Sequence, residues 1–117
     1  MKKLLFVQDK SPHGSIAGQE GLDAILMGSA FADCTVLLLE DGIYQVLDGQ
    51  QPSSLGTKNY SVTYKALFDY GVKHIFCSET DLQERDLKTD DLLITVEPQS
   101  DDQIKKLFVD HDVILSF

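Results

Sequence analysis

Tryptophan is absent from this 117-residue chain, proline occurs three times and cysteine twice. Two cysteines without a C-x-x-C spacing build neither a disulfide framework nor a zinc site, a usage that fits a reducing cytoplasm. Positive charge is scarce: ten Lys and Arg stand against nineteen Asp and Glu, for a formal net charge of -9. Such a chain repels a polyanion at long range unless a local basic patch intervenes, and the lysines are scattered apart from Lys2-Lys3 and Lys105-Lys106. Arginine is not interleaved with aromatics as in single-strand binders, so no direct nucleic-acid contact is expected. Also missing is any run of the roughly 18 apolar residues that a membrane-spanning helix requires. No membrane partner is expected, and the localisation implied by these absences is cytoplasmic.

What remains is the composition of a globular protein, 43% apolar and 25% charged. The length suits one domain, residues 1–117, with a single core. The opening MKKLLFVQDK has the basic residues and apolar stretch of a signal peptide. Its apolar part, Leu4 to Val7, is far shorter than an h-region, and reads instead as a first strand.

Continuous apolar runs recur at Leu4 to Val7, Thr35 to Leu39, His74 to Cys77, Leu92 to Val96 and Val113 to Phe117. Runs of this kind suit strands buried on both faces, and helical segments lie between them. The pattern predicts an α/β three-layer sandwich, a mainly parallel sheet of about five strands with four or five helices, flavodoxin-like in outline. The first helix is expected over Ser15 to Phe31, with Leu22, Ile25, Leu26 and Ser29 on one face. Gly18, Gly21 and Gly28 each cost about 1 kcal/mol in a helix interior, which close approach to the sheet or to a neighbouring subunit would justify. A second helix, Asn59 to Tyr70, places Tyr60, Tyr64, Leu67 and Phe68 on one stripe before Gly71, suited to a left-handed cap. Asp48 to Asn59 between them reads as an exposed loop. The last helix, Ser100 to Val109, opens on a cap residue and two aspartates. The final DVILSF is read as a structural strand that closes the chain.

Pro12 to Gly21 follows a strand and opens a helix, where phosphate-binding turns lie. Its glycines fall as G-x-x-x-G-x-x-G and no G-K-[ST] follows, so tight turns and close packing explain them better than a nucleotide does. His13 in that turn is either an acid-base group in a cleft or a loop imidazole bonded to backbone. With no nucleophile adjoining it, the second reading is preferred. His74 and His111 each precede an apolar strand and look structural.

Cys34 begins a strand and reads as an interior residue. Cys77 stands at the carboxyl end of the third strand, before HIFC gives way to SETDLQER. Ser78 with Asp81, or Thr80 with Gln83, resembles a capping box. A helix N-terminus favours a thiolate, whereas Glu79 and Asp81 oppose it. Cys77 is therefore the one candidate catalytic residue, with inert packing as the alternative. No cofactor-binding and no metal-binding residues are identified.

The segments SPHGSIAGQEGLDAILMGSAF, LLLEDGIYQVLDGQQP and CSETDLQER followed by Asp86-Leu87, with the terminal DVILSF, together resemble the TusC (DsrF) family of sulfur-relay subunits along essentially the whole chain. The resemblance implies a DsrE-like fold and a complex with TusB-like and TusD-like subunits, assembled as a dimer of heterotrimers. Such a complex takes persulfide sulfur from TusA and passes it to TusE, serving 2-thiolation of the tRNA wobble uridine; the related DsrEFH complex serves dissimilatory sulfur oxidation. In this family the relay cysteine is ascribed to the TusD subunit, at a position that Cys77 matches. The resemblance thus implies a non-catalytic, structural subunit, with persulfide carriage by Cys77 itself as the alternative.

Overall fold

The computed structural model describes residues 2–9, 17–46, 60–92 and 94–117. Lys3–Gln8 (β1), Asp33–Leu38 (β2), His74–Ser78 (β3), Glu97–Gln99 (β4) and Val113–Ser116 (β5) form one sheet in the order β4-β3-β2-β1-β5. Every neighbouring pair is parallel. Parallel neighbours demand crossovers, and Ala17–Gly28 (α1), Tyr60–Asp69 (α2), Glu79–Glu84 (α3) and Asp101–Asp110 (α4) lie in them.

Successive strand residues point to opposite faces, so each central strand must be apolar on both. Phe6, Val36, Leu38, Ile75 and Cys77 join Leu22 and Ile25 of α1, Tyr64 and Leu67 of α2 and Leu82 of α3 in one cluster. On the other face Leu5, Val7 and Leu37 pack against Ile104, Leu107 and Phe108 of α4. The three-layer sandwich expected from the apolar runs is the fold, with α1, α2 and α3 on one face and α4 on the other among the described residues.

Helix ends follow local chemistry. Ser100 caps α4 by accepting the Gln103 backbone N–H at 3.3 Å, and the Gln103 side chain accepts the Ser100 N–H at 2.8 Å. Gly71 follows α2 at φ +97°, the left-handed position expected of it. α1 ends earlier than its predicted Phe31 limit: the N–H groups of Phe31 and Ala32 both return to the Gly28 carbonyl, at 3.0 Å each, and turn the chain into β2. The expected close approach of α1 to the sheet is present. A Cβ at Gly21 would lie 2.5 Å from the side-chain amide of Gln8, and one at Gly28 3.0 Å from the Phe6 ring. His13 and the loop 48–59 lie outside the described residues, as does the side chain of Tyr60.

Two expectations are corrected. The fourth strand is not Leu92 to Val96: Leu92, Ile94 and Val96 are buried in irregular backbone, and the strand is Glu97–Gln99. The apolar run marks burial in the α1-side core, whereas an edge strand paired only to β3 needs no apolar residues and tolerates Pro98. Val113 to Phe117 is likewise not buried on both faces; β5 pairs only with β1, and Ile114, Leu115 and Ser116 are exposed. Its ladder to β1 is opened by the reciprocal pair of Lys3 N–H to Asp112 Oδ2 at 2.8 Å and Asp112 N–H to the Lys3 carbonyl at 2.9 Å. The Phe117 ring adds a stack on Phe6, with centroids 6.5 Å apart.

The tightest approach is at Gly42, in the 3-10 turn Glu40–Val46 that follows β2, where a Cβ would overlap the Gln8 carbonyl. Nothing lies within 4 Å of a Cβ at Gly71. Gly42→Ala is expected to destabilise by about 3 kcal/mol, since backbone must move, and Gly71→Ala by about 1 kcal/mol from its positive φ alone. Urea denaturation checks this: the Gly42→Ala midpoint falls further than that of Gly71→Ala, at unchanged slope.

Candidate functional site

Cys77 is the last-but-one residue of β3, flanked in register by Leu38 of β2 and Pro98 of β4. Its side chain faces the α1-side core and is wholly buried. Ser78 then leaves the strand with extended backbone, and its Oγ accepts the Asp81 N–H at 3.1 Å, which starts α3. Of the two caps read from the sequence, this is the one formed at the head of α3.

Asp81 does more than open that helix. Its Oδ2 accepts the backbone N–H of Glu40 at 2.7 Å, and Glu40 is held at φ +50°, an unusual conformation for a residue with a side chain. Arg85, one turn further, donates from Nη2 to Asp41 Oδ1 at 3.1 Å and from Nη1 to the Asp81 carbonyl at 3.3 Å. The carboxyl end of β2 is thereby tied to α3 across the top of the sheet. Beneath it Gln45 is fully buried, and its Oε1 accepts the Tyr64 hydroxyl at 2.7 Å.

These surroundings decide the state of the thiol. Burial, with the Asp81 carboxylate adding to it, pushes the Cys77 thiol from an ordinary 9.0 up to about 12. That rise corresponds to about 4 kcal/mol in favour of the neutral form. A helix N-terminus supplies about 0.3–1 kcal/mol in the opposite sense, and α3 has only six residues. The dipole that sequence position suggested is outweighed, and Cys77 is a protonated, inward-facing thiol.

The other candidates are not brought to it. Cys34 pairs with Leu4 near the start of β2, four positions before Leu38, so roughly 13 Å of strand separates it from Cys77. It too is buried, and burial followed by Asp33 pushes its thiol up. Both cysteines are free. His74 stacks on Phe76 and pairs with Glu97 at 2.9 Å, while His111 donates from Nδ1 to the Leu107 carbonyl at 2.7 Å; both sit at the amino end of the sheet. The strand order turns back between β1 and β5, where open parallel sheets place ligands. β3 lies two strands from there, about 10 Å away. Among the described residues no group of three or more His, Cys, Asp and Glu could hold a metal ion. No helix among them is long and apolar enough to cross a membrane.

Sequence reasoning missed the Glu40–Asp81–Arg85–Asp41 connection and the buried Gln45–Tyr64 pair. The one available signal was Gln45 inside DGIYQV, a polar residue between apolar neighbours in a turn.

Comparison with known proteins fixes what this arrangement belongs to. The DsrE/DsrF-like family matches residues 2–117. This chain is a member of that family. DsrE/DsrF-like relatives include the protein TusC homolog of Vibrio parahaemolyticus, 40% identical over the whole of both chains. The protein TusC of Escherichia coli is 36% identical, also over the whole of both. The intracellular sulfur oxidation protein DsrF of Allochromatium vinosum is 42% identical over 80% of this chain and 69% of its own. Among solved structures, the YchN protein of Escherichia coli superposes over all of both chains with a TM-score of 0.87 at 22% identity, and so shares the DsrE-like fold.

The thiol's environment predicts its reactivity. With its pKa at about 12, about one Cys77 in 10,000 is thiolate at pH 8, so iodoacetamide is expected to leave the native chain unmodified over hours and to label both cysteines once it is unfolded. The sign for stability follows from linkage: a raised folded-state pKa means that native protein keeps a proton that unfolded protein releases. The stability contributed by this thiol is complete below about pH 9 and is lost as pH climbs toward 12. Urea titrations of wild type and Cys77→Ala at pH 8 and 10.5 should therefore converge at the higher pH.

Proposed function

We propose that this chain is a structural, TusC-type subunit of a sulfur-relay complex in the cytoplasm, which supports a persulfide-carrying sister subunit and does not carry sulfur on its own thiol. The family membership supports the relay role, as do the full-length relatives named TusC. The observation that carries the structural role is the Cys77 sulfur, buried and protonated at the position where the family's relay thiol is expected.

Sulfur transfer requires a thiolate to attack the outer sulfur of a donor persulfide while the donor's own sulfur leaves as thiolate. A thiol held neutral under α3 and β4 offers neither the charge nor the approach. Cys77 serves instead as a small apolar group that lets β3 pack tightly against the core. In this reading the partners are TusB-like and TusD-like subunits in a dimer of heterotrimers. TusA acts as donor and TusE as acceptor through the complex, and the end product is the 2-thiolated wobble uridine of tRNA.

A second reading, a DsrF-type subunit in sulfur oxidation, is favoured by the 42% identity to the Allochromatium vinosum protein, whose name records that process. Neighbouring genes separate the two: sulfite-reductase genes beside this one favour oxidation, and TusB- and TusD-like genes without them favour tRNA thiolation.

Reconstitution with cysteine desulfurase, TusA and the sister subunits tests the structural role. Cys77→Ser is expected to leave thiolation within about two-fold of wild type, and mass spectrometry is expected to find no added sulfur on Cys77. A persulfide adduct on Cys77, together with loss of thiolation in the variant, would reverse the assignment.

A further inference from the structure

From Glu79 to Asp91, between the end of β3 and the buried Leu92, the chain has a single buried residue, Leu82, with Leu87 half-buried. The segment it is tied to is anchored differently. In the turn Glu40–Val46, Gly42, Ile43, Gln45 and Val46 are all buried, and Gly42 rests on the Gln8 carbonyl. Local opening is easiest where few apolar contacts are buried. Of the two joined segments, α3 is therefore the one free to part from the sheet, and the turn after β2 is the fixed side.

What joins them is polar and exposed. The Glu40 N–H donates to Asp81 Oδ2, and the Arg85 guanidinium donates from Nε and Nη2 to Asp41 Oδ1 at 3.3 and 3.1 Å. Both sides of this seam are acidic. Carboxylate oxygens of Asp41, Asp81 and Glu84 lie 3.1, 3.8 and 3.9 Å from Arg85, and Glu40 and Glu79 stand on the same two segments. One guanidinium thus offsets the mutual repulsion of the carboxylates around it. Across the seam Glu40 is held at φ +50°, a strained conformation that persists only while its surroundings fix it.

Cys77 immediately precedes the Ser78 cap of α3. It is wholly buried, and Asp81 is close enough to act on its thiol.

We propose that α3 is a latched flap over the end of β3: the Arg85–Asp41 and Asp81–Glu40 contacts fasten it to the turn after β2, and their release uncovers Cys77 while the sheet stays folded. The silence of this thiol is then a conditional state of the chain, kept by an autoinhibitory contact. The device is internal to the chain and independent of its partners, so its failure would leave the relay-subunit reading where it stands.

The two cysteines supply the test, because Cys34 lies near the other end of the sheet, beside Leu4. The full chain and Arg85→Ala are treated with iodoacetamide at pH 8 without denaturant, and initial labelling of each cysteine is followed by mass spectrometry. Arg85→Ala is expected to react at Cys77 at least ten-fold faster than wild type, and at Cys34 within two-fold of it. Loss of a nearby cation cannot make a thiol more acidic, so the faster reaction reads opening. An unchanged Cys77 rate overturns the proposal. So does an equal acceleration of both cysteines, which reports global unfolding. Should Arg85→Ala fail to fold, Asp41→Ala breaks the same fastening from a residue whose side chain is 56% exposed. It is expected to raise the Cys77 rate at least three-fold with Cys34 unchanged, and the same two outcomes overturn the proposal.

Discussion

Gln8, at the carboxyl end of the interior strand β1, is the residue on which three elements converge. It is wholly buried, its side chain lies against Gly21 of α1, and its carbonyl lies under Gly42. The same carbonyl accepts the Leu39 N–H at 3.0 Å as the chain leaves β2. Backbone packed this closely leaves no freedom in where the 3-10 turn begins. That turn sets Glu40 in its left-handed conformation and delivers its N–H to Asp81. From Asp81 the constraint passes through the Ser78 cap to the end of β3. The position and burial of Cys77 are thus the far end of a chain of contacts that starts two strands away.

The place of Cys77 and its reactivity therefore depend on different things. The strand end before a capped helix is set by packing and by the Ser78–Asp81 bond, neither of which requires a reactive sulfur. Reactivity requires in addition an exposed thiol and a neighbouring positive charge. Here the nearest charged group is a carboxylate, and the one guanidinium close by is occupied with Asp41 and the Asp81 carbonyl.

The sequence disclosed what depends on local periodicity. β1, β2 and β3 fell on apolar runs because these interior strands are covered on both faces, β5 fell on one as well, and α2 and α4 were bounded correctly by Gly71 and Ser100. The fourth strand was misplaced because Leu92, Ile94 and Val96 signal burial, which irregular backbone achieves as well as a strand does. The exposure of β5 was hidden for a related reason: an edge position is a property of topology, and DVILSF looks the same at an edge as in the centre. At the candidate site, the place of Cys77 and the Ser78 cap were legible. The depth of its burial was not, because it depends on α3 and on Leu38 and Pro98, residues that the chain brings together only after folding.

The order of the strands has a consequence in time. β1 to β4 are laid down in sequence, each beside the last, but the remaining neighbour of β1 is β5, which crosses the whole sheet to reach it. Lys3 and Asp112, 109 positions apart, close that pairing. During synthesis one side of β1, which is buried from Leu5 to Gln8 in the folded chain, therefore stays an open template until residues beyond 113 have emerged. For that interval the nascent chain displays Leu4 to Val7 to any extended segment nearby, a window in which a chaperone or a sister chain made alongside has the most to protect.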